Sequence, residues 1–231
     1  MSRNTPPLTI RRATPADLPA LHKLVESAYR GDSSRLGWTT ETDMLGGQRI
    51  PATDLLAKIN NPTGIVWLAS STKADLSTSA SEQDTKTHPA TEDGEREAKD
   101  TDQDQDAPLA LLGCCELTRL SNPPTTTTTT PPRTAFFGLF AVSPLHQSLG
   151  IGHALLSHAE AYALQSWDTQ RMEMVVTMGR PELVAWYVRR GYVETGEERV
   201  IPREELERQG SVVLVEGIRF GVLVKGLGGG K

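Results

Sequence analysis

Between Phe136 and His158 the chain reads FFGLFAVSPLHQSLGIGHALLSH, with two glycines placed where an anion could be held. An apolar run ends at Ser143-Pro144. A short polar elbow follows, and Gln147-Ser148-Leu149-Gly150-Ile151-Gly152 opens a helical pattern carrying Leu155, Leu156, Ala159 and Tyr162. A strand, a glycine-bearing turn and a helix start together present free backbone N–H groups and the positive end of a helix, which is the chemistry of phosphate binding. Two nucleotide motifs fail here. A dinucleotide fingerprint needs a third glycine where Leu155 stands, and a P-loop needs Gly-Lys-Ser/Thr where Gly152-His153-Ala154 stands. Alone, the glycines are equally compatible with an ordinary turn.

The elements that must position this turn follow from patterning. Leu8 to Ala13 alternates as a half-buried strand, and Thr14-Pro15-Ala16-Asp17 starts a helix running to about Arg30, with Gly31 as its stop. Thr40-Glu41-Thr42-Asp43 predicts the cap of a short helix ending at Gly46-Gly47, and Pro51 opens another to about Ile59. Strands are expected over 65–69, 109–120, 136–142 and 171–178, with a short one at 192–195 and closing strands at 212–215 and 218–225. The glycine-bearing helix should end near Trp167. A further helix opens at Gly179-Arg180-Pro181-Glu182 and finishes before Gly191, and 202–209 has the pattern of a polar helical turn. The middle strands can pair as hairpins, while the later strand–helix units need a parallel partner. The order predicts an α/β (α+β) fold, a mixed and mostly antiparallel central sheet with helices on both faces.

Two segments depart from this pattern. Residues 71–108 hold eleven Asp/Glu against four Lys/Arg, a local charge of −7 in a chain of −5, which leaves the rest at +2. Such a segment, without aromatics, is expected to be a disordered acidic insertion. Residues 121–133 contain six consecutive threonines between Pro-Pro pairs and are expected to lengthen a hairpin loop, since added loop length costs little entropy. The expectation is one domain over 8–225 interrupted by both, with a flexible tail at 226–231. A nearly neutral remainder argues against a nucleic-acid surface. Cys114 and Cys115 are adjacent, so on a strand they face opposite ways; a bridge would be strained, no metal spacing is present, and two reduced thiols are expected. The stretch MSRNTPPLTIRR carries no apolar core, so no leader is expected, and no apolar run approaches the length of a membrane span. A soluble cytoplasmic protein is expected, with a nuclear location left open.

Val142-x-Pro144, Gln147-x-x-Gly150-x-Gly152 and, downstream, Ala185-Trp186-Tyr187-Val188-Arg189-Arg190-Gly191-Tyr192 together resemble the GNAT superfamily of acyl-CoA-dependent N-acyltransferases. That family's pattern is [R/Q]-x-x-G-x-[G/A] after a strand ending V-x-P, with a later tyrosine four residues before G-[F/Y]. The likeness extends to the first strand and helix. It implies a strand ending at Val142 that splays from a parallel neighbour around Val175 to Met178. Phe140, Ala141 and Val142 would face the pantetheine arm of acetyl-CoA, the cosubstrate. Gln147, Ser148, Leu149, Gly150, Ile151, Gly152 and His153 would form the pyrophosphate turn, with Gln147 where arginine is common. Tyr187 would protonate the departing thiolate; its other reading is a core tyrosine. Arg180 stands where asparagine is common, and would meet a CoA phosphate, a substrate carboxylate or solvent.

The acceptor amine must lose a proton, and Glu116 and Glu173 are the candidate bases; each is also readable as a solvent-facing strand residue. The resemblance places the acceptor wall between Tyr29 and Gln48, where Tyr29, Asp32, Arg35, Trp38 and Glu41 are the candidates and a plain surface loop is the alternative. The acids there would fit a cationic amine and Arg35 a carboxylate. The function implied is transfer of acetyl from acetyl-CoA to a small-molecule amine, with no metal, nucleic acid or membrane, by a monomer or homodimer. The alternatives are a protein or peptide N-acetyltransferase and a non-catalytic acyl-CoA-binding module.

Overall fold

Side chains alternate across the central strands into two separate apolar layers, so the middle of the sheet is covered on both faces. The computed structural model describes residues 6–72, 76, 109–120 and 133–228. In chain order these form β1 (Thr9–Arg12), α1 (Leu18–Tyr29), a single helical turn α2 (Gly31–Ser34), β2 (Leu45–Gly47), α3 (Ala52–Ile59), β3 (Gly64–Thr72) and β4 (Leu109–Arg119). There follow β5 (Thr134–Val142), α4 (Ile151–Trp167), β6 (Arg171–Thr177), α5 (Pro181–Val188), β7 (Val193–Arg199), α6 (Arg203–Arg208), β8 (Ser211–Val213) and β9 (Phe220–Gly226). Seven strands make one sheet in the order β1-β3-β4-β5-β6-β9-β7, with β5–β6 its one parallel pair among the described residues. The mixed, mostly antiparallel sheet is the one the sequence predicts.

On one face α1 and α3 bury Leu21, Leu24, Val25 and Leu55 against Val66, Leu68 and Cys114. On the other, α4 and α5 bury Leu155, Leu156, Ala159 and Val184 against Trp67, Cys115, Phe137 and Met174. Both thiols are free and fully buried, on opposite faces, and burial pushes Cys114 up to about 12.

Two local features open this sheet. The β5–β6 pairing runs only from Thr134/Arg171 to Phe136/Glu173, although both strands continue. Beyond that point they splay. In the same stretch β5 bulges against β4: Glu116 faces Gly138, but two residues back along β4, Cys114 faces Ala141, so β5 has one residue more. Leu139 takes a positive φ of 44° to do this. An extra residue exchanges the faces of everything after it. Phe137 therefore lies in the α4/α5 layer while Leu139 and Ala141 lie in the α1/α3 layer, and Phe140 is sent back toward α5.

Three expectations are corrected. No helix forms over 40–47: a turn closes by Leu45 N–H donating to the Glu41 carbonyl (2.8 Å), and β2 pairs with β8 in a separate two-stranded ribbon. Gly46 and Gly47 disfavour helix, and Gly47 has φ +72°. The 212–215 strand accordingly starts at Ser211, stops at Val213 and stays outside the main sheet. β3 continues through Thr72, two residues into the expected insertion. The rest of 71–108 apart from Leu76, and 121–132, lie outside the described residues, as do 229–231 of the expected tail. Among the described residues no helix is long and apolar enough to cross a membrane.

Candidate active site

Gln147 to His153 wraps the start of α4. Ser148 and Gly150 take positive φ (70° and 84°), and Gly150 caps the helix with no side-chain hydrogen bond. The first N–H groups of a helix have no acceptor inside it. Those belong here to Ile151, Gly152 and His153, and all three residues line a cavity of ≈ 500 Å³. A Cβ on Gly152 would stand 3.1 Å from the Phe140 ring, so the bare backbone forms this part of the wall. Arg189 and Arg190 line the same cavity, and Arg190 lies 3.5 Å over the Trp186 ring. An apolar and aromatic trough thus leads to a turn of N–H groups flanked by cations, a combination that fits a pantetheine arm and a pyrophosphate. Gln147 is spent internally: its Oε1 accepts the Trp38 N–H (2.9 Å) and its Nε2 donates to the Val142 carbonyl (3.3 Å).

A second cavity, of ≈ 350 Å³, lies on the other side of the splay. Tyr29, Phe140, Arg180, Leu183 and Tyr187 line both cavities and so form the wall between them. Tyr187 is 4% exposed, set among Phe140, Trp186 and Tyr192. Burial raises its pKa well above that of a free phenol, so the hydroxyl is neutral. Among the described residues no hydrogen bond engages that hydroxyl. Tyr29, also raised by burial, donates to the Phe140 carbonyl (2.7 Å) and so fastens the bulge to the end of α1.

β2, β8 and α6 contribute Leu45, Ser211 and Leu206 to the lining of the second cavity. Glu116, 5% exposed, lines it and pairs with Lys58 (2.7 Å). Glu41, equally buried, lines it too, with Arg30 at 2.5 Å, Arg180 at 3.6 Å and Arg49 at 3.9 Å. Arg180 also donates from Nε to Thr39 Oγ1 (3.0 Å), which joins α5 to the 30–50 segment.

Most sequence candidates gather here, but not all. Phe140, Ala141, Val142, Gln147, Ser148, Gly150, Ile151, Gly152, His153, Arg180 and Tyr187 line the first cavity, together with Trp38, expected on the acceptor side. Leu149 packs against the core rather than the cavity. Tyr29, Glu41 and Glu116 line the second. Asp32 and Arg35 are exposed and line neither cavity; Arg35 pairs with Asp43 (2.7 Å). Glu173 also lines neither, and is held by Arg199 (2.5 Å) and Arg171 (3.5 Å). Arg180 is not solvated: its side chain is 11% exposed. Sequence reasoning passes over Arg30, Arg49 and Lys58, which reach the site only through long-range packing. Arg189 and Arg190 carry a signal, being two cations placed shortly after Tyr187.

Among the described residues no group of three or more His, Cys, Asp or Glu side chains is placed to hold a metal ion. No curated protein matches the sequence. Among solved structures the chain is similar to NAA60 from Arabidopsis thaliana in complex with a bisubstrate analogue (10% identity, TM-score 0.58, covering 97% of this chain and 100% of that one). It is also similar to an acetyltransferase of GNAT family from Streptococcus pneumoniae (15%, 0.55, 96% and 100%), and to the spermidine/spermine N-acetyltransferase SpeG from Vibrio cholerae in complex with manganese ions (16%, 0.50, 97% and 95%). At such identities these likenesses concern the fold. The model of the Acetyltransferase (GNAT) family matches residues 73–192, just over half of the sequence. That span takes in the splayed β5–β6 pair, the glycine turn and Tyr187, and the chain belongs to the GNAT acetyltransferase family.

Proposed function

We propose that the protein transfers acetyl from acetyl-CoA to the primary amine of a small molecule, with Tyr187 as general acid. The observation that carries this reading is the meeting of two cavities at Tyr187 and Phe140, in the gap between β5 and β6. Acetyl-CoA supplies an activated thioester. In this reading the N–H groups of the 147–153 turn and Arg189 and Arg190 hold its phosphates, while the edge of β5 that β6 leaves beyond Phe136, whose Phe140 and Val142 carbonyls already accept one hydrogen bond each from Tyr29 and Gln147, holds the pantetheine arm. The acceptor enters from the second cavity, whose volume of ≈ 350 Å³, walled in part by the β2–β8 ribbon and α6, suits a small molecule.

Glu116 is the candidate base, directly or through water, since Glu173 is tied to two arginines away from both cavities. Once deprotonated, the amine nitrogen bonds to the acetyl carbon. Tyr187 gives its proton to sulfur as the carbon–sulfur bond breaks, and recovers one from the pool released by the amine. Burial that keeps the phenol neutral equally disfavours a bare thiolate, so the proton moves toward sulfur as charge develops there. The test is Tyr187→Phe, assayed by thiol release and product mass against a panel of amines and peptides. The expected kcat is lower by roughly 10²-fold or more, with the KM for acetyl-CoA little changed. An unchanged kcat, in a variant whose chemical step is shown to limit the rate, would rule out the acid role.

A further inference from the structure

The second cavity has more positive charge at its inner end than its own carboxylates offset. Three guanidinium groups lean on the carboxylate of Glu41; Glu182 reaches Arg180 only through the Thr39 hydroxyl, and Glu26 meets Arg49 only at its backbone N–H, so the direct ion pairs leave an excess of positive charge. Of the three, Arg30 is committed to the fold: it also donates to the Tyr29 carbonyl (3.1 Å) and Ser211 Oγ (3.3 Å). Even so, its Nε is buried without a hydrogen-bond partner, and so is that of Arg49. Arg49 stacks 4.8 Å over the Tyr29 ring and lines the second cavity only. Arg180 lines both cavities, which puts the cluster beside the junction where the amine must react. The remaining charged groups on the lining do not cancel this excess. Glu116 is paired with Lys58, and Asp54 is exposed. Partly desolvated cations without enough counter-charge are costly, and a bound anion offsets that cost.

We infer that the acceptor carries a carboxylate as well as its amine, so that the protein acetylates amino-acid-like molecules and discriminates against polycations. The inference rests on the transferase reading above and narrows its substrate. Arg49 and Arg180 take the carboxylate, and the amine lies at the Tyr187–Phe140 junction. Met174, Val176, Leu206 and Phe220 on the same lining offer an apolar surface to the acceptor's side chain. Glu41, already surrounded by cations, is not available to an ammonium group, so a polyamine would meet net like charge.

The experiment pairs each proteinogenic L-amino acid with the amine that lacks its carboxylate, adds spermidine, and measures kcat/KM with acetyl-CoA for the wild type and Arg49→Gln. For the best amino acid the wild type should prefer the carboxylate form by on the order of 10- to 100-fold, the scale of a charged hydrogen-bonded contact. Arg49→Gln should erase most of that preference through a raised amino-acid KM, with the KM for acetyl-CoA unchanged and that for the decarboxylated amine, which meets one positive charge fewer, not raised. Arg49→Lys should recover part of it. Decarboxylated amines or spermidine turned over as well as the best amino acid would overturn the inference and leave the transferase reading intact. If nothing is turned over, calorimetric titration of the CoA-loaded protein with the same pairs decides. Carboxylate-dependent binding that Arg49→Gln removes keeps the carboxylate site at Arg49 and Arg180 while acetylation by it falls, and its absence overturns the inference. If Arg49→Gln fails to fold, the wild-type comparison of paired ligands decides by itself: a carboxylate preference of the expected size keeps the inference, and none overturns it.

Discussion

Gly152 separates two explanations of a glycine that sequence alone cannot separate. In the first turn of α4 an alanine would gain up to about 1 kcal/mol of helix propensity over glycine. A purely structural glycine should therefore tolerate Gly152→Ala, with a Tm unchanged or slightly raised. The position also faces the first cavity, and a Cβ there stands 3.1 Å from the Phe140 ring, a contact that needs only a small shift. If the backbone is bare so that phosphate oxygens can approach it, the same methyl group raises the KM for acetyl-CoA by on the order of 10-fold. The two readouts diverge, and Tm together with acetyl-CoA KM decides between them. A stable variant with an unchanged KM would return Gly152 to an ordinary turn. Gly150 offers no such contrast, because its φ of 84° strains any side chain whatever its function.

Tyr29, at the end of α1, holds the bulge, and an ionic junction fixes the start of the same helix. Asp17 accepts from the Thr14 N–H (2.8 Å) and hydroxyl (2.9 Å) and pairs with Arg11 (2.6 Å). The Arg11 guanidinium, helped by the Thr14 donors, holds the Asp17 carboxyl well below the usual carboxylate range. A depressed folded pKa means that this contribution is complete above the unfolded value of about 3.9 and is lost as pH falls toward the folded one. Asp17→Ala should therefore cost about 1 kcal/mol near pH 7, and the gap from wild type should narrow as pH drops below about 4. A gap independent of pH in denaturant titrations would show that the effect is not ionic. This junction is legible in the sequence because Thr-Pro-Ala-Asp is a local signal. The glycine turn and Tyr187 are legible for the same reason, since their spacing along the chain is their signature. The bulge is not: Leu139 is an unremarkable apolar residue, and its positive φ is imposed by the register of β4. The segment from Thr40 to Gly47 differs from expectation, because β8, more than 160 residues downstream in the pairing Leu45↔Val213, outcompetes a local capping pattern. Glu41 gains its three arginines the same way, from the residue after α1, the stretch before α3, and the residue before α5.

At the level of the whole molecule, charge and architecture separate. The described sheet belongs to the part of the chain whose net charge is +2, while 71–108 carries −7. Yet β3 and β4 pair from Gly64/Thr118 to Thr72/Leu109, with one register shift at Ala69/Ser70, so the ends of that segment emerge as adjacent strands of one hairpin. We propose that the two long connections interrupt a single domain and supply nothing to its site. Replacing residues 77–108 with a four-residue glycine–serine turn keeps Leu76, which packs against the α4/α5 layer, and shortens the loop about 4.5-fold. At about 0.6 kcal/mol for each doubling of length, this favours folding by at most about 2 kcal/mol. The expected outcome is a Tm unchanged or raised by a few degrees and an acetyl-CoA KM within about twofold of wild type. The pI should rise clearly, since the net charge moves from −5 to +2. Loss of acetyl-CoA binding in a variant that still unfolds cooperatively would place part of the site in the acidic segment. Loss of cooperative unfolding would mean that the sheet depends on that segment to fold.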